Sequence, residues 1–456
     1  MAFRQVFPGA RRALSATPVG DLTPAEIRST VAAWSATHLR PARAAALKAA
    51  AVPPPAAGSA SPPSSSTGLP TSLWRDLGGL GVLGITAPPS VGGLGLGYAH
   101  HVAAMEALSR GWPAAGLSYG AHSNLCVNQL VRHASASASA AYLPSLVDGS
   151  AVGGLAMSEP GAGSDVLGMT TSAVRGARAS DGAAGWILNG AKAWCTNAPL
   201  ADVLVVYAVT HPEAATKGGR LTAFVVETAS PGLSVGPPLA KIGMTASPTA
   251  DVILEDVWVP ESAVLGTPGE GVAVLMSGLN SERLVLAAGP LGIMEAALDV
   301  VVPYVRERTQ FGAPIGSFGL MRGKVADMIT ATAVTRAHVY AVAAQMDVEG
   351  EEGAAVQGGD GRGGGRADGD GDGGGGGRRR RRMNMEAASV ILAAAEAAVA
   401  VTGEAVQALG GNGYCIEYGV GGLGADAKLY TIGAGTSEIR RTLVGKAGGD
   451  DAVWGR

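Results

Sequence analysis

The segment SGLNSERLVLAAGPLG, residues 277–292, sets a glutamate and an arginine, Glu282 and Arg283, in a run of small and apolar side chains. On a helix, Glu282 neighbours Gly278, Leu279, Val285 and Leu286, because residues three and four apart share a face. A carboxyl placed there loses water, and desolvation disfavours its charged form and lifts its pKa. A carboxylate tuned in that way suits general-base work on a weakly acidic proton. The competing reading is a glutamate in a surface ion pair with a neighbouring arginine. Burial decides between the two.

Other stretches offer ligand contacts rather than proton transfer. MSEPGAGSD, residues 157–165, follows a strand and is rich in small residues. Its glycines, Gly163 among them, let backbone approach a flat ligand closely, and Ser158 and Ser164 add hydroxyls beside Leu155 and Met157. WCTNA, residues 194–198, places Trp194 and Thr196 two apart, on one face of a strand. Cys195 between them points the other way and should be inert. QALGGNGY, residues 407–414, brings Gln407, Gly410 and Gly411, whose neighbourhood can present amides to a pyrophosphate. RTQFG carries Arg308, and YTIGAGTSEIRR carries Ala434, Gly435, Thr436, Ser437 and Glu438. Each motif alone also reads as structure: a strand-ending turn, or a buried core tryptophan.

The elements that must hold these residues change type along the chain. Residues 21–150 read as helical, with ALKAA, HHVAAMEALSRG and LVRHASASASAAYLPSLV rich in helix formers and a Pro/Ser stretch at 49–70 as a loop. Residues 151–262 read as strands, with DVLVVYAV, LTAFVVE and ADVILEDVWVP as β-branched runs and an Asn-Gly hairpin turn expected at 189–190. No helical pattern falls between them, which favours an antiparallel sheet or barrel over alternating β and α units. Residues 263–456 return to long apolar-periodic helices, broken at 348–382 by a Gly/Arg tract that cannot build a core. The fold expected is therefore α+β: an N-terminal helical domain, a central antiparallel β-barrel and a C-terminal four-helix bundle.

Composition bounds the rest. The 456 residues carry a net charge of -3 and are 47% hydrophobic. That supports a substantial globular core and gives no general case for nucleic-acid binding. No uninterrupted apolar run is expected to span a membrane. Cys126, Cys195 and Cys415 form no CxxC pair, so neither a disulfide framework nor a zinc site is expected. Residues 1–20 are basic and lack acids, the composition of an organelle transit peptide or of a frayed basic terminus.

Taken in order, MSEPGAGSD, WCTNA, RTQFG, QALGGNGY and YTIGAGTSEIRR resemble the successive motifs of the acyl-CoA dehydrogenases, over about residues 71–446. The resemblance implies FAD as cofactor, an acyl-CoA substrate, electron-transfer flavoprotein as electron acceptor, a homotetramer and a mitochondrial matrix location, with no nucleic-acid or membrane partner. It implies that Met157 and Ser158 contact the flavin pyrimidine ring and that Ser164 reaches the CoA side. Trp194 packs on the isoalloxazine, and Thr196 bonds N5. Arg308, Gln407, Gly410, Gly411, Thr436, Ser437 and Glu438 complete the FAD site, with Arg308 reaching across a subunit boundary. Most of the family carries its base just before the terminal GTS, where this chain has Ala434. The isovaleryl-type and long-chain branches take it from the helix of Glu282. The likeness therefore points to the isovaleryl-type branch, with Glu282 as base, Arg283 in a positioning or structural role, and Ala434 and Gly435 beside the thioester. Gly319, Ala273 and Ala425 stand where the family has glutamine, tyrosine and arginine. Rival readings are an acyl-CoA dehydrogenase of other chain preference, an oxygen-using oxidase, or a non-catalytic acyl-CoA-binding scaffold.

Overall fold

The structure, a computed structural model, describes residues 19–51, 68–357 and 375–448. Nearly all of the expected transit peptide, most of the 49–70 loop and the centre of the Gly/Arg tract lie outside the described residues. Helix α1 (Pro24–Ala51) is followed by α2 (Leu73–Gly79), α3 (Tyr98–Gly111), α4 (Pro113–His122), α5 (Asn128–His133) and α6 (Ala136–Val147). Helix α3 has ten buried residues, so it is the central member of this layer. The run LVRHASASAS is not one helix. It breaks at Ala134, and Ser135 then caps α6 by accepting from the Ala138 N–H at 3.2 Å, as a serine at that position should.

Eight strands follow: β1 (Gly153–Ala156), β2 (Ser172–Ala177), β3 (Ala184–Thr196), β4 (Val203–Val209), β5 (Leu221–Glu227), β6 (Leu233–Val235), β7 (Thr249–Pro260) and β8 (Val264–Leu265). They form one sheet in the order β6-β7-β3-β2-β4-β5-β8, with β1 added against β4. Pairing is antiparallel except that β1 runs parallel to β4 and β2 meets β4 in a single parallel register pair, Ser172 with Val209. The Asn-Gly turn is not a hairpin. Asn189 and Gly190 lie inside β3, where its pairing with β7 slips by a residue. Asn189 is held by Asp256, accepting from its N–H at 2.8 Å and donating to its carboxylate at 3.0 Å. A Cβ on Gly190 would meet the Thr171 side chain at 2.5 Å, so the glycine serves a close approach within a bulge. The real β2–β3 turn spans 178–183, where Gly182 has φ +73° and the Ala183 carbonyl accepts from the Arg178 N–H at 2.8 Å.

The last layer is helical again: α7 (Gly271–Glu307), a small β9–β10 hairpin (Thr309–Gln310, Ala313–Pro314), α8 (Gly319–Gln357), α9 (Gly375–Leu409), α10 (Val420–Leu429) and α11 (Ser437–Gly448). By length and composition alone, Gly271–Glu307 and Arg382–Tyr414 could each cross a membrane, against the sequence expectation. Most of the apolar stretch of the first is buried inside the protein, and a helix apolar all round belongs in a core. Helix α7 packs on α3 and α9, so one core joins the two helical regions. The sheet has its own core.

A buried carboxylate ties the helical regions together. Glu106 on α3 is fully buried and accepts from Arg28 of α1 at 3.2 Å, from Arg336 of α8 at 3.1 Å and from the Tyr340 hydroxyl at 2.7 Å. Removing such a carboxylate leaves the Tyr340 hydroxyl unpaired and both arginines with Glu295 alone. Glu106→Ala is expected to destabilise the fold by about 2–4 kcal/mol, read as a lowered thermal midpoint. Arg75→Ala, which breaks an exposed 3.7 Å pair with Asp148, should change stability by less than about 0.5 kcal/mol.

Candidate active site

The strand-end motifs meet around the end of β3. The Ala193 N–H donates to the Ser158 carbonyl at 2.9 Å. Lys192, fully buried, donates to the Met157 carbonyl at 3.1 Å and to the Glu159 carboxylate at 2.9 Å. Glu159 also accepts from the Thr170 and Thr171 N–H groups at 2.7 and 2.9 Å. Burial would raise the Glu159 carboxyl, but the bonds from Thr171 and Thr170 and the Lys192 charge hold it down at about 2. This satisfied ion pair fixes the Met157–Ser158 backbone against β3.

Between Lys192 and Cys195 the β3–β7 register shifts, and Trp194 sits at φ +57°. That is an unusual conformation for a bulky residue, and it turns the indole outward, 56% exposed. Thr196 is half-buried, whereas Cys195 is 1% exposed. Burial pushes the Cys195 thiol up to about 12, so its side chain belongs to the sheet core and not to a cofactor face. Leu155 is half-buried within β1, and Met157 and Ser158 are half-buried beyond its end. Gly163 and Ser164 are exposed, and a Cβ on Gly163 would meet nothing within 4 Å. The hydroxyls of Ser158, Ser164 and Thr196 have no partner among the described residues. Bare backbone, an outward indole and unpaired hydroxyls fit a flat, polar-edged ring such as flavin.

Glu282 lies on α7 and is 6% exposed, which removes the surface ion-pair reading. Burial raises its carboxyl to about 7, against the opposing charges of Arg283 and Arg440. The Arg283 guanidinium is engaged elsewhere, with Asn384 at 2.7 Å and Asn280 at 3.4 Å. Tyr207 of β4 lies within electrostatic reach; burial and then the Glu282 charge raise its phenol, so it stays neutral. Helix α5 clamps the preceding turns of α7. Arg132 donates to the Ser277 carbonyl at 2.9 Å and to the Ser281 hydroxyl at 3.1 Å. A Cβ on Gly278 would meet the Gln129 amide at 2.1 Å, so a larger residue there would have to displace the Gln129 side chain.

The terminal motif forms a turn before α11. Ala434 and Gly435 both have positive φ, +55° and +85°, and Ala434 packs against the helical core. The turn is seated on α7, because the Tyr430 hydroxyl occupies the space above Gly289 where a Cβ would meet it at 2.2 Å. Ser437 differs from expectation. It is buried, its hydroxyl donates to Glu396 at 2.7 Å and its N–H donates to the Thr431 carbonyl at 2.9 Å. The Thr436 hydroxyl accepts from the Ile439 N–H at 3.3 Å, and Glu438 is exposed.

Arg308, Gln407, Gly410 and Gly411 are exposed at the far end of α7. Tyr304 joins them, donating to the Leu409 carbonyl at 3.3 Å and accepting from Asn412 at 2.9 Å. At 1.5 Å per residue, Arg308 lies roughly 40 Å along the helix from Glu282. Within one chain the two groups are therefore not brought together. Of the departures, Gly319 and Ala273 are exposed on the first turns of α8 and α7. The Ala425 carbonyl packs so closely on Gly243 that a Cβ there would meet it at 2.3 Å.

Sequence reasoning missed Lys192, Tyr207, Arg132 and Arg440. Lys192 offered one signal, a lysine at a core-facing position of a strand. Arg440 offered only its spacing three after Ser437, on the same helix face.

Comparisons with known proteins agree with this architecture. The N-terminal, middle and C-terminal domain descriptions of acyl-CoA dehydrogenase match residues 23–150, 154–257, and 269–358 with 376–449. The chain is 50% identical over 375 residues to a mitochondrial isovaleryl-CoA dehydrogenase of Arabidopsis thaliana, covering 82% of each. It is 47% identical over 375 residues to a mitochondrial 2-methylacyl-CoA dehydrogenase of Solanum tuberosum, again 82% of each. Among solved structures, butyryl-CoA dehydrogenase from Megasphaera elsdenii superposes with a TM-score of 0.78 at 28% identity, over 94% of this chain and 99% of that one. With its N-terminal, middle and C-terminal domains matched across most of its length, the chain belongs to the acyl-CoA dehydrogenase family.

Proposed function

We propose that the chain oxidises a short branched-chain acyl-CoA, isovaleryl-CoA foremost, with Glu282 as the base that removes the α-proton. The carrying observation is the Glu282 carboxyl: 6% exposed, on a rigid core helix, and raised to about 7. A thioester α-proton is very weakly acidic, so the base must sit dry and the developing enolate oxygen must be stabilised. The turn at Gly433–Gly435 offers the Ala434 backbone N–H for that oxygen. Its small residues leave room for a branched acyl chain, consistent with the Arabidopsis relative.

The enzyme is FAD-dependent, and the flavin supplies the hydride acceptor when bound. On this chain, Trp194 would pack on the ring face, Thr196 would donate towards N5, and Met157 and Ser158 would serve the pyrimidine edge. Gly163 and Ser164 would lie where the CoA side begins. Arg308, Gln407, Gly410, Gly411, Thr436 and Glu438 would hold the phosphates and adenine side, with Ser437 behind them, bonded to Glu396 and Thr431.

The 40 Å separation of the Arg308 group from Glu282 supports a site shared between copies, hence a homotetramer. So does the apolar surface close to it, with Phe311 98%, Leu320 89% and Tyr414 91% exposed. Electrons pass to electron-transfer flavoprotein, as the family resemblance implies. The mitochondrial names of the relatives and the basic N-terminus support a mitochondrial, matrix location.

Glu282→Gln is expected to retain isovaleryl-CoA binding while flavin reduction slows by about 10²–10⁴-fold; anaerobic stopped-flow at the flavin absorbance measures both. In the wild type, reduction by free enzyme should rise with pH through a limb near pH 7, because the carboxyl works only when deprotonated. The potato relative supports a second substrate reading, 2-methyl-branched thioesters. Reductive titration with isovaleryl-, 2-methylbutyryl- and isobutyryl-CoA separates them, and isovaleryl-CoA is expected to give the highest limiting rate.

A further inference from the structure

Arg440 is the largest fully buried side chain among the described residues. A buried guanidinium is costly unless its donors are satisfied, so its partners show what it is for. Nη1 donates to the Tyr430 carbonyl at 2.6 Å, and Nη2 donates to the Gly433 carbonyl. Those two carbonyls lie on the segment leading into Ala434 and Gly435, both at positive φ. Ala434 holds a left-handed conformation unfavourable for a non-glycine residue, and such a conformation persists where the surroundings over-determine it. Other bonds tie the turn's ends, from the Ser437 N–H to the Thr431 carbonyl and from the Gly433 N–H to the Leu429 carbonyl, both 2.9 Å. Arg440 adds two side-chain bonds to these, one of them to the carbonyl of the peptide that carries the Ala434 N–H.

The same guanidinium lies within electrostatic reach of Glu282, the proposed base. The charged or titratable groups around Glu282 are Arg283 from α7, Arg440 from α11 and the neutral Tyr207 from β4; Arg132 of α5 acts on Tyr207. Arg283 is bonded to asparagines. Glu396 of α9 faces Arg440 in turn but is already bonded to Ser437 and paired with Arg441 at 3.3 Å. The Arg440 Nε–H is buried without a partner.

We propose that Arg440 is a positioning residue of the proton-abstraction site. It clamps the Tyr430–Gly435 turn so that the Ala434 N–H is held ready for the thioester oxygen, and it sets a permanent positive charge against the Glu282 carboxylate. Arg440 touches neither substrate nor reacting atoms in this role. It couples the oxyanion donor and the base through one side chain. The inference rests on the reading of Glu282 as base.

The test is the pH dependence of flavin reduction by isovaleryl-CoA in holoenzyme. The wild type must first show an acid limb that Glu282→Gln lacks; if it does not, the base reading itself fails, whatever Arg440 does. With that limb in hand, Arg440→Gln removes charge and clamp together. Its limb should move to higher pH by on the order of one unit, since losing a nearby positive charge favours the protonated carboxyl, and its plateau rate should fall roughly tenfold or more. Arg440→Lys keeps the charge but cannot fork to two carbonyls. Its limb should stay near the wild-type position while its plateau rate falls. A limb that does not move in Arg440→Gln, or a wild-type plateau in Arg440→Lys, overturns the proposal. Should Arg440→Gln fail to fold or retain flavin, the Arg440→Lys limb and plateau decide alone.

Discussion

A carboxylate kept from water is the constraint around which this molecule is arranged. Glu282 has an ordinary value of 4.5 and is held at about 7. The folded chain therefore binds that proton more tightly than the unfolded chain does. Folding is favoured by this group at low pH, and the advantage is lost as pH rises from about 4.5 through about 7, a change of roughly 3 kcal/mol. The packing of α7 must absorb that cost at the pH where the carboxylate is ionised. Every residue from Ser281 to Met294 on this helix is buried, so Glu282, the proposed base, stands on a part of the chain that cannot readily relax into solvent. Two arginines temper the penalty without neutralising the acid, since each also has carbonyl or amide partners to serve.

The strand-end face uses the opposite strategy. Glu159 is also buried, but Lys192 and the Thr170 and Thr171 amides satisfy it completely, and its carboxyl is held at about 2. That ion pair is fixed in charge and does no proton transfer. It works as a rivet that sets the Met157 and Ser158 backbone against the bulge carrying Trp194 and Thr196. Two buried glutamates in one chain thus diverge by environment alone. One is fully paired and structural, and the other is underpaired and poised to take a proton.

The order of helices, strands and helices was legible because hydrophobic period changes along the chain and survives without tertiary context. The motif residues were legible too, since glycines, a tryptophan and hydroxyls in close succession have few purposes. Other features were not. Asn189–Gly190 carries a strong hairpin signal, yet tertiary pairing with β7 and the Asp256 side chain places it inside a strand. Ser437 reads as a ligand hydroxyl, but the fold turns it towards Glu396. The 134–135 break in the α5–α6 run follows from Ser135 capping a new helix, which helix propensity alone does not register. Arg440 is indistinguishable in sequence from Arg441 beside it; only the direction of α11 buries one and leaves the other half-exposed.

The turn at 433–435 shows why the base and the oxyanion donor need different supports. A backbone N–H can be aimed only by fixing φ and ψ, and here Ala434 is fixed at positive φ, where any Cβ crowds the following carbonyl oxygen. A carboxylate needs a dry, stiff wall instead, and a helix packed on several sides supplies it. Placing the acid on α7 and the amide on the turn lets each be optimised by the element suited to it. The two must then be registered against each other across the core. Tyr430 seated on Gly289 and Arg440 bonded to the Tyr430 and Gly433 carbonyls are the contacts available for that registration, so on the proposed reading the chemistry of the site depends on groups that lie behind it.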